Sequence, residues 1–148
     1  MRLFSILLIN CSLLFITCEI PVGLEPVSGV QGKITFHGEW QDDIKAATII
    51  ALDELDLENP AANLITYSNL IDPGTDEAEY FIQLLPNQYY LAAVGITVDP
   101  GLFAVKIDSF LSAETIPIII IDNDLRNLTT PVNVISREIT KVDREIVF

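Results

Sequence analysis

The stretch Tyr80-Phe81-Ile82-Gln83-Leu84-Leu85-Pro86-Asn87-Gln88-Tyr89-Tyr90-Leu91-Ala92-Ala93-Val94-Gly95-Ile96-Thr97-Val98 decides the fold class. Tyr80, Ile82 and Leu84 alternate up to Leu85-Pro86-Asn87-Gln88, and Tyr90, Ala92, Val94, Ile96 and Val98 alternate away from it. A period of two places successive side chains on opposite faces of a strand, so the segment predicts a β-hairpin with a short turn. Upstream, Asp72-Pro73-Gly74 carries turn chemistry, because proline presets one turn position and glycine accepts positive φ at the next. Leu64 to Leu70 reads as a strand after the Asn59-Pro60 loop. Asp42 to Leu57 has a helical face of Ile44, Ala47, Thr48, Ala51 and Leu55, but a helix would turn Ile49 and Ile50 into solvent. A strand through Ala46 to Leu52 buries both, and strand is the reading adopted. Earlier still, Ile34 and Phe36, with Trp40 beyond Gly38, share one strand face, while Lys33, Thr35, His37 and Glu39 share the other.

Downstream, Asp99-Pro100-Gly101 repeats the turn chemistry, and Phe103, Val105 and Ile107 predict a further half-buried strand. Ile116 to Ile121 is apolar on both faces and short, which predicts an interior strand with Pro117 near its start. The polar loop Asp122 to Thr130 leads into a strand through Val132 to Ile135. From Ser136 two readings stay open. Ile139, Val142 and Ile146 fit a helix, whereas Ile146 and Phe148 fit a terminal strand that closes the sheet. Seven or eight short strands without βαβ alternation predict an all-β fold, a single antiparallel β-sandwich.

Length and charge bound the function. The 148 residues suit one domain, and 50% hydrophobic content argues against a disordered acidic tail. Only 8 Lys and Arg stand against 21 Asp and Glu, a formal charge of -13, so a nucleic-acid surface built on clustered positive charge is excluded. A single histidine, His37, rules out chemistry that needs two imidazoles. The charge is uneven: residues 19–124 carry 18 acidic and 3 basic groups, and residues 125–148 carry 3 and 4. That asymmetry either orients the domain away from an anionic membrane, docks the tail against a partner, or reflects a tail that pairs its charges with the acidic body, and pairing is the simpler expectation.

The N-terminus has the layout of an export signal. Arg2 precedes an apolar run from Leu3 to Ile16 that is too short for a bilayer span of about 20 residues. The run ends in Phe15-Ile16-Thr17-Cys18, which resembles a bacterial lipobox, the motif whose cysteine is diacylated and becomes the first residue of the mature chain. Cys11 and Cys18 are the only cysteines, so cleavage leaves one thiol and no intramolecular disulfide. The expected organisation is a signal peptide over 1–17, a tether over 18–28 with two prolines, and the sandwich over 29–148. The resemblance implies a bacterial cell-envelope lipoprotein, exported and held to a membrane through Cys18, with an envelope protein or polysaccharide as its further partner class.

Gly32-Lys33-Ile34-Thr35-Phe36, opening the domain, and the strand, Leu-Pro-x-x-Tyr turn and strand from Tyr80 to Gly95 resemble a second pattern. It is that of the transthyretin-like, carboxypeptidase regulatory-like modules. The resemblance covers Gly29 to Ile135 and implies an immunoglobulin-like or prealbumin-like sandwich of seven or eight strands. Modules of this kind are mostly non-catalytic spacers, adhesion units or accessory domains.

The residues themselves support no enzyme. No Gly-x-Ser-x-Gly nucleophile motif occurs, and His37 lies on the polar face of its strand. Zinc lacks ligands, and no cofactor is implied. Calcium needs only oxygen donors, and the best cluster for it is Asp122, Asp124 and Asn127, although Arg126 occupies a ligand position of the helix-loop-helix pattern. Asp72, Asp76, Glu77 and Glu79 form a second oxygen-rich segment. Turn formation and solubility are the simpler account of both groups. A calcium- or small-ligand-binding envelope lipoprotein is therefore the alternative to a non-catalytic binding or spacer module.

Overall fold

The computed structural model describes residues 27–148, so the expected signal peptide, Cys18 and most of the tether lie outside the described residues. Among the described residues, nine strands and two helices follow one another: β1 (Gly29–His37), β2 (Ala46–Leu52), β3 (Leu64–Tyr67), β4 (Glu77–Gln83), β5 (Asn87–Ile96), α1 (Pro100–Ser112), β6 (Ile118–Ile120), α2 (Leu125–Thr129), β7 (Val132–Val134), β8 (Ile139–Lys141) and β9 (Arg144–Val147). They form two sheets, as an all-β sandwich requires. One has the order β4-β1-β8 with β9 also on β1; the other has the order β3-β2-β5-β6 with β7 also on β5. Between them lies a core that includes Val30, Ile34, Phe36, Tyr80, Ile82, Leu91 and Ile146.

The expected hairpin does not form. β4 pairs antiparallel with β1, and β5 pairs with β2 in the other sheet, so Leu84 to Pro86 is a corner between sheets. Burial explains the choice. Leu91 to Ile96 is buried on both faces, which demands a central position in a covered sheet. Glu77, Glu79, Phe81 and Gln83 leave the outer face of β4 in solvent, which suits an edge. Lys33 opposite this strand binds Glu77 at 2.8 Å.

Phe103, Val105 and Ile107 lie in a helix, not a strand. Asp99 accepts from the Leu102 N–H at 2.9 Å as N-cap, and Pro100 occupies the first turn, where its missing N–H costs nothing. Phe103 is fully buried against Ala46 and Ile96, with Ile107 and Phe110 following one and two turns on, while Val105 is 83% exposed. The helix thereby covers one end of the outer face of the β2–β5 sheet. Ile118–Ile120 is an edge strand paired only with β5, so the expectation of an interior strand is also corrected.

The tail forms strands, with Ile146 fully buried, and both β8 and β9 run parallel to β1. The sandwich is therefore mixed, not purely antiparallel. β2 spans Ala46–Leu52 as the sequence predicts, and the Asp72-Pro73-Gly74 turn forms with Gly74 at φ +81°.

Each sheet fills one side of a central strand with two short strands in succession. In the first sheet β8 lies beside Gly29–Gln31 and β9 beside Ile34–His37. Val142 and Asp143 bridge the interruption: Val142 N–H donates to the Gln31 carbonyl at 2.9 Å and Asp143 Oδ1 accepts from Lys33 N–H at 2.9 Å. A Cβ on Gly32 would overlap the Val142 carbonyl, so only glycine fits beneath the crossing. In the second sheet β7 lies beside Asn87–Tyr89 and β6 beside Val94–Ile96, leaving Leu91 in the gap.

Candidate functional site

That second gap is where the sequence-predicted oxygen cluster converges. The chain leaves β6 through Ile121, whose N–H donates to the Ala93 carbonyl at 3.0 Å, and turns Asp122 inward until it is 5% exposed. Asp124 caps the short helix α2 by accepting from Arg126 N–H at 2.9 Å. One turn along, the Asn127 side chain donates to Asp122 Oδ1 at 3.3 Å, and Asp124 N–H reaches the same oxygen at 3.3 Å. Asp122, Asp124 and Asn127 thus do come together. Capping and loop geometry bring them there.

A residue the sequence reading passed over completes the cluster. Arg144 opens β9 in the opposite sheet, is 6% exposed, and points its guanidinium across the core edge. Its Nε lies 3.6 Å from Asp122 Oδ2. Its Nη2 donates to the Asn127 carbonyl at 3.3 Å and, at 3.5 Å, to the carbonyl of Leu91, the residue left between β7 and β6. Arg144 therefore supplies a donor where the strand ladder is broken and joins the two sheets along one side. The signal was present: Arg144 and Ile146 share a strand face, so a buried Ile146 requires an inward basic residue and hence an acidic partner.

Nε and Oδ2 face each other beyond hydrogen-bond distance and have no other partner, so the pair is an ionic contact with incomplete hydrogen bonding. Two surface clefts border it, of about 380 Å³ and about 550 Å³, and Asp124, Asn127 and Arg144 line both. The local oxygen donors are engaged internally: Asp122 faces Arg144, and the Asp124 carboxylate binds the Arg126 guanidinium at 3.2 Å through each oxygen. Arg126 holds Asp124 below the usual carboxylate range, through its side chain first and its backbone N–H second. Among the described residues, no group of three or more His, Cys, Asp and Glu side chains is placed to hold a metal ion.

The second oxygen-rich segment is divided by the fold. Asp72 closes a turn by accepting from Thr75 Oγ1 at 2.7 Å through its carbonyl, and Glu77 binds Lys33. A cleft of about 460 Å³ lies on the outer face of the first sheet, where Gln31, Lys33, Glu79, Phe81, Lys141 and Asp143 converge. Three of its charges have partners: Lys141 binds Asp143 at 3.2 Å, Lys33 binds Glu77, and Asp143 is held low by the Lys33 N–H and then by Lys141. His37 is exposed at the end of β1, and Trp40 packs on Phe36 and Phe148 with ring centroids 4.6 and 5.0 Å away. Tyr80 is 2% exposed; burial pushes its phenol up to about 12, and its hydroxyl donates to the Val142 carbonyl at 2.5 Å.

No described helix is long and apolar enough to cross a membrane. Compared with known protein families, with curated proteins and with solved structures, the chain has no match.

Proposed function

We propose that this chain is a non-catalytic, lipid-anchored module of the bacterial cell envelope, a β-sandwich of the transthyretin-like, carboxypeptidase regulatory-like kind that acts by binding or spacing. The observation that carries the reading is the order of parts: an apolar N-terminal run closed by Phe15-Ile16-Thr17-Cys18, a short proline-containing segment, and then β1, the central strand of the first sheet. A domain whose first strand is central is pulled at its core rather than at a fraying edge, which suits a body held by its N-terminus. The pairing of charges inside the molecule supports a structural role for them over a catalytic one, because perturbed groups with identified internal partners are what ion-pair networks produce.

The test is Cys18→Ser. Expressed in a bacterial host fed labelled fatty acid, the natural chain should take up the label and lose residues 1–17, whereas the C18S chain should do neither. A natural chain that takes up no label, or equal labelling of both, would overturn the anchor.

The alternative, a calcium-binding envelope lipoprotein, draws on one observation, the convergence of Asp122, Asp124 and Asn127 beside Arg144. Calcium would have to displace or outcompete a buried guanidinium. A rise in melting temperature on adding calcium, abolished by Asp124→Asn, would favour it; an unchanged melting temperature would remove it.

A further inference from the structure

The end of the sandwich at which the chain enters exposes several apolar side chains, as other parts of the surface do at Val105, Leu125 and Val147. Val27 is 44% exposed, Leu85 79%, Ile135 54% and Ile139 39%. These residues come from three stretches of the chain, and backbone hydrogen bonds bring those stretches together. Ser28 accepts from Leu84 N–H at 3.1 Å through its carbonyl and from Arg137 N–H at 2.7 Å through its hydroxyl. Gly29 N–H donates to the Glu138 carbonyl at 3.2 Å, and Glu138 N–H to the Ile135 carbonyl at 3.2 Å. Gly29 is also the register partner of Ile139. The corner carrying Leu85 is braced by Tyr89, whose hydroxyl donates to the Leu85 carbonyl at 3.1 Å.

Leu85, at the tip of a braced corner, has no packing task that explains its exposure. A gathered apolar patch of this kind marks an interaction surface. Both ends of the sandwich are acidic, the far end somewhat more so. At the far end lie Glu39, Asp42, Asp43, Asp72, Asp76 and Asp99 with Lys45, whereas the entry end carries Arg137 with Glu138, and Asp53, Glu54, Asp56 and Glu58 in the loop after β2. An anionic surface would repel the far end more strongly than the entry end.

We infer that this entry-end patch, Leu85 and Ile135 above all, seats the domain on the lipid surface to which its own N-terminus is anchored. The inference rests on the lipid-anchor reading. Only eight residues separate Cys18 from Val27, a reach of at most roughly 30 Å, so an anchored domain is confined beside the bilayer with this end nearest to it. Confinement turns a contact too weak for a free protein into an intramolecular one at high effective concentration. Apolar side chains then enter the interfacial region while the more acidic far end faces away, which presents that end to partners in the envelope.

The experiment uses the full processed chain, which has no free thiol if Cys18 is acylated. Leu85→Cys and, at the opposite end, Thr75→Cys each receive an environment-sensitive fluorophore. The protein is reconstituted in vesicles of phosphatidylcholine and phosphatidylglycerol containing a lipid-borne quencher, and its mass reports the acyl chains. The Leu85 label should shift to the blue, lose emission to the lipid quencher and resist aqueous iodide; the Thr75 label should do none of these. Placed on Ile135→Cys instead, the label should become iodide-accessible once Leu85→Glu is added, with melting temperature checked to confirm folding. An acylated chain with both ends equally open to iodide overturns the seat and leaves the anchor standing. Iodide protection without lipid quenching, growing with protein density, also overturns it and assigns the patch to a second copy of the chain. An unacylated chain that ignores vesicles overturns both readings together.

Discussion

Removing the Arg144 guanidinium tests whether one contact clasps the two sheets. The side chains of Arg144 and Asp122 are 6% and 0% exposed, and Nε lies 3.6 Å from Oδ2. At an effective dielectric near 20, two unit charges at that separation attract by about 4–5 kcal/mol. Burying both ions costs several kcal/mol each, so the intact pair contributes little net stability. Breaking it is different. Arg144→Met preserves an apolar stem but strands the Asp122 carboxylate with two long donors, Asp124 N–H and the Asn127 amide, both at 3.3 Å. It also strips a donor from the Leu91 carbonyl in the gap between β7 and β6. The expected loss is about 3–5 kcal/mol, the range for a buried pair that loses one partner. Urea unfolding should register it as a midpoint lowered by about 2 M with an unchanged slope. Asp122→Leu combined with Arg144→Met should recover most of the loss, because no buried charge then remains. A single-variant loss below about 1 kcal/mol, or a double variant no better than the single, would refute the reasoning.

Three further perturbations probe the elements that hold this geometry. Phe103→Ala should cost about 3–5 kcal/mol, because the ring is fully buried between α1 and the β2–β5 sheet; a loss below about 1 kcal/mol in thermal unfolding would show that α1 packs loosely. Gly32→Ala should destabilise by at least about 2 kcal/mol, since its Cβ meets the Val142 carbonyl where the tail crosses β1; neutrality would mean that the crossing adjusts freely. Tyr80 titrates near 12 when folded against an ordinary value of 10.0, so the unfolded chain releases its proton first as pH rises. Its contribution is intact below about pH 10 and is lost between about 10 and 12, a fall of about 2–3 kcal/mol that Tyr80→Phe should flatten. An identical alkaline fall in both chains would assign it elsewhere.

The faces of the strands were legible in the sequence; their partners were not. Ile34, Phe36, Tyr80 and Ile82 are buried as their period of two requires, and Ile49 and Ile50 did argue correctly for strand over helix. Alternation says which side of a strand is wet, but nothing about which strand lies beside it, so β4 and β5 looked like a hairpin. The same residues also served two grammars at Asp99-Pro100-Gly101, where a turn opener is equally an N-cap followed by an N1 proline. Phe103, Ile107 and Phe110 at helical spacing would have decided it, but Val105 between them completed a strand pattern as well.

The oxygen cluster was legible as composition and not as geometry. Asp122, Asp124 and Asn127 are close in sequence and stay close in space, whereas Arg144 arrives from the other sheet. The positive bias of the tail hinted at such a pairing. Arg144 does pair with the acidic body, while Arg126 and Lys141 bind acids within two residues of themselves.

The measurement that tests the account most directly is the intact mass of the full chain extracted from the membranes of a bacterial host. The account predicts that residues 1–17 are missing and that Cys18 carries a diacylglyceryl group. A chain that retains residues 1–17, or one cleaved without acylation, would contradict it.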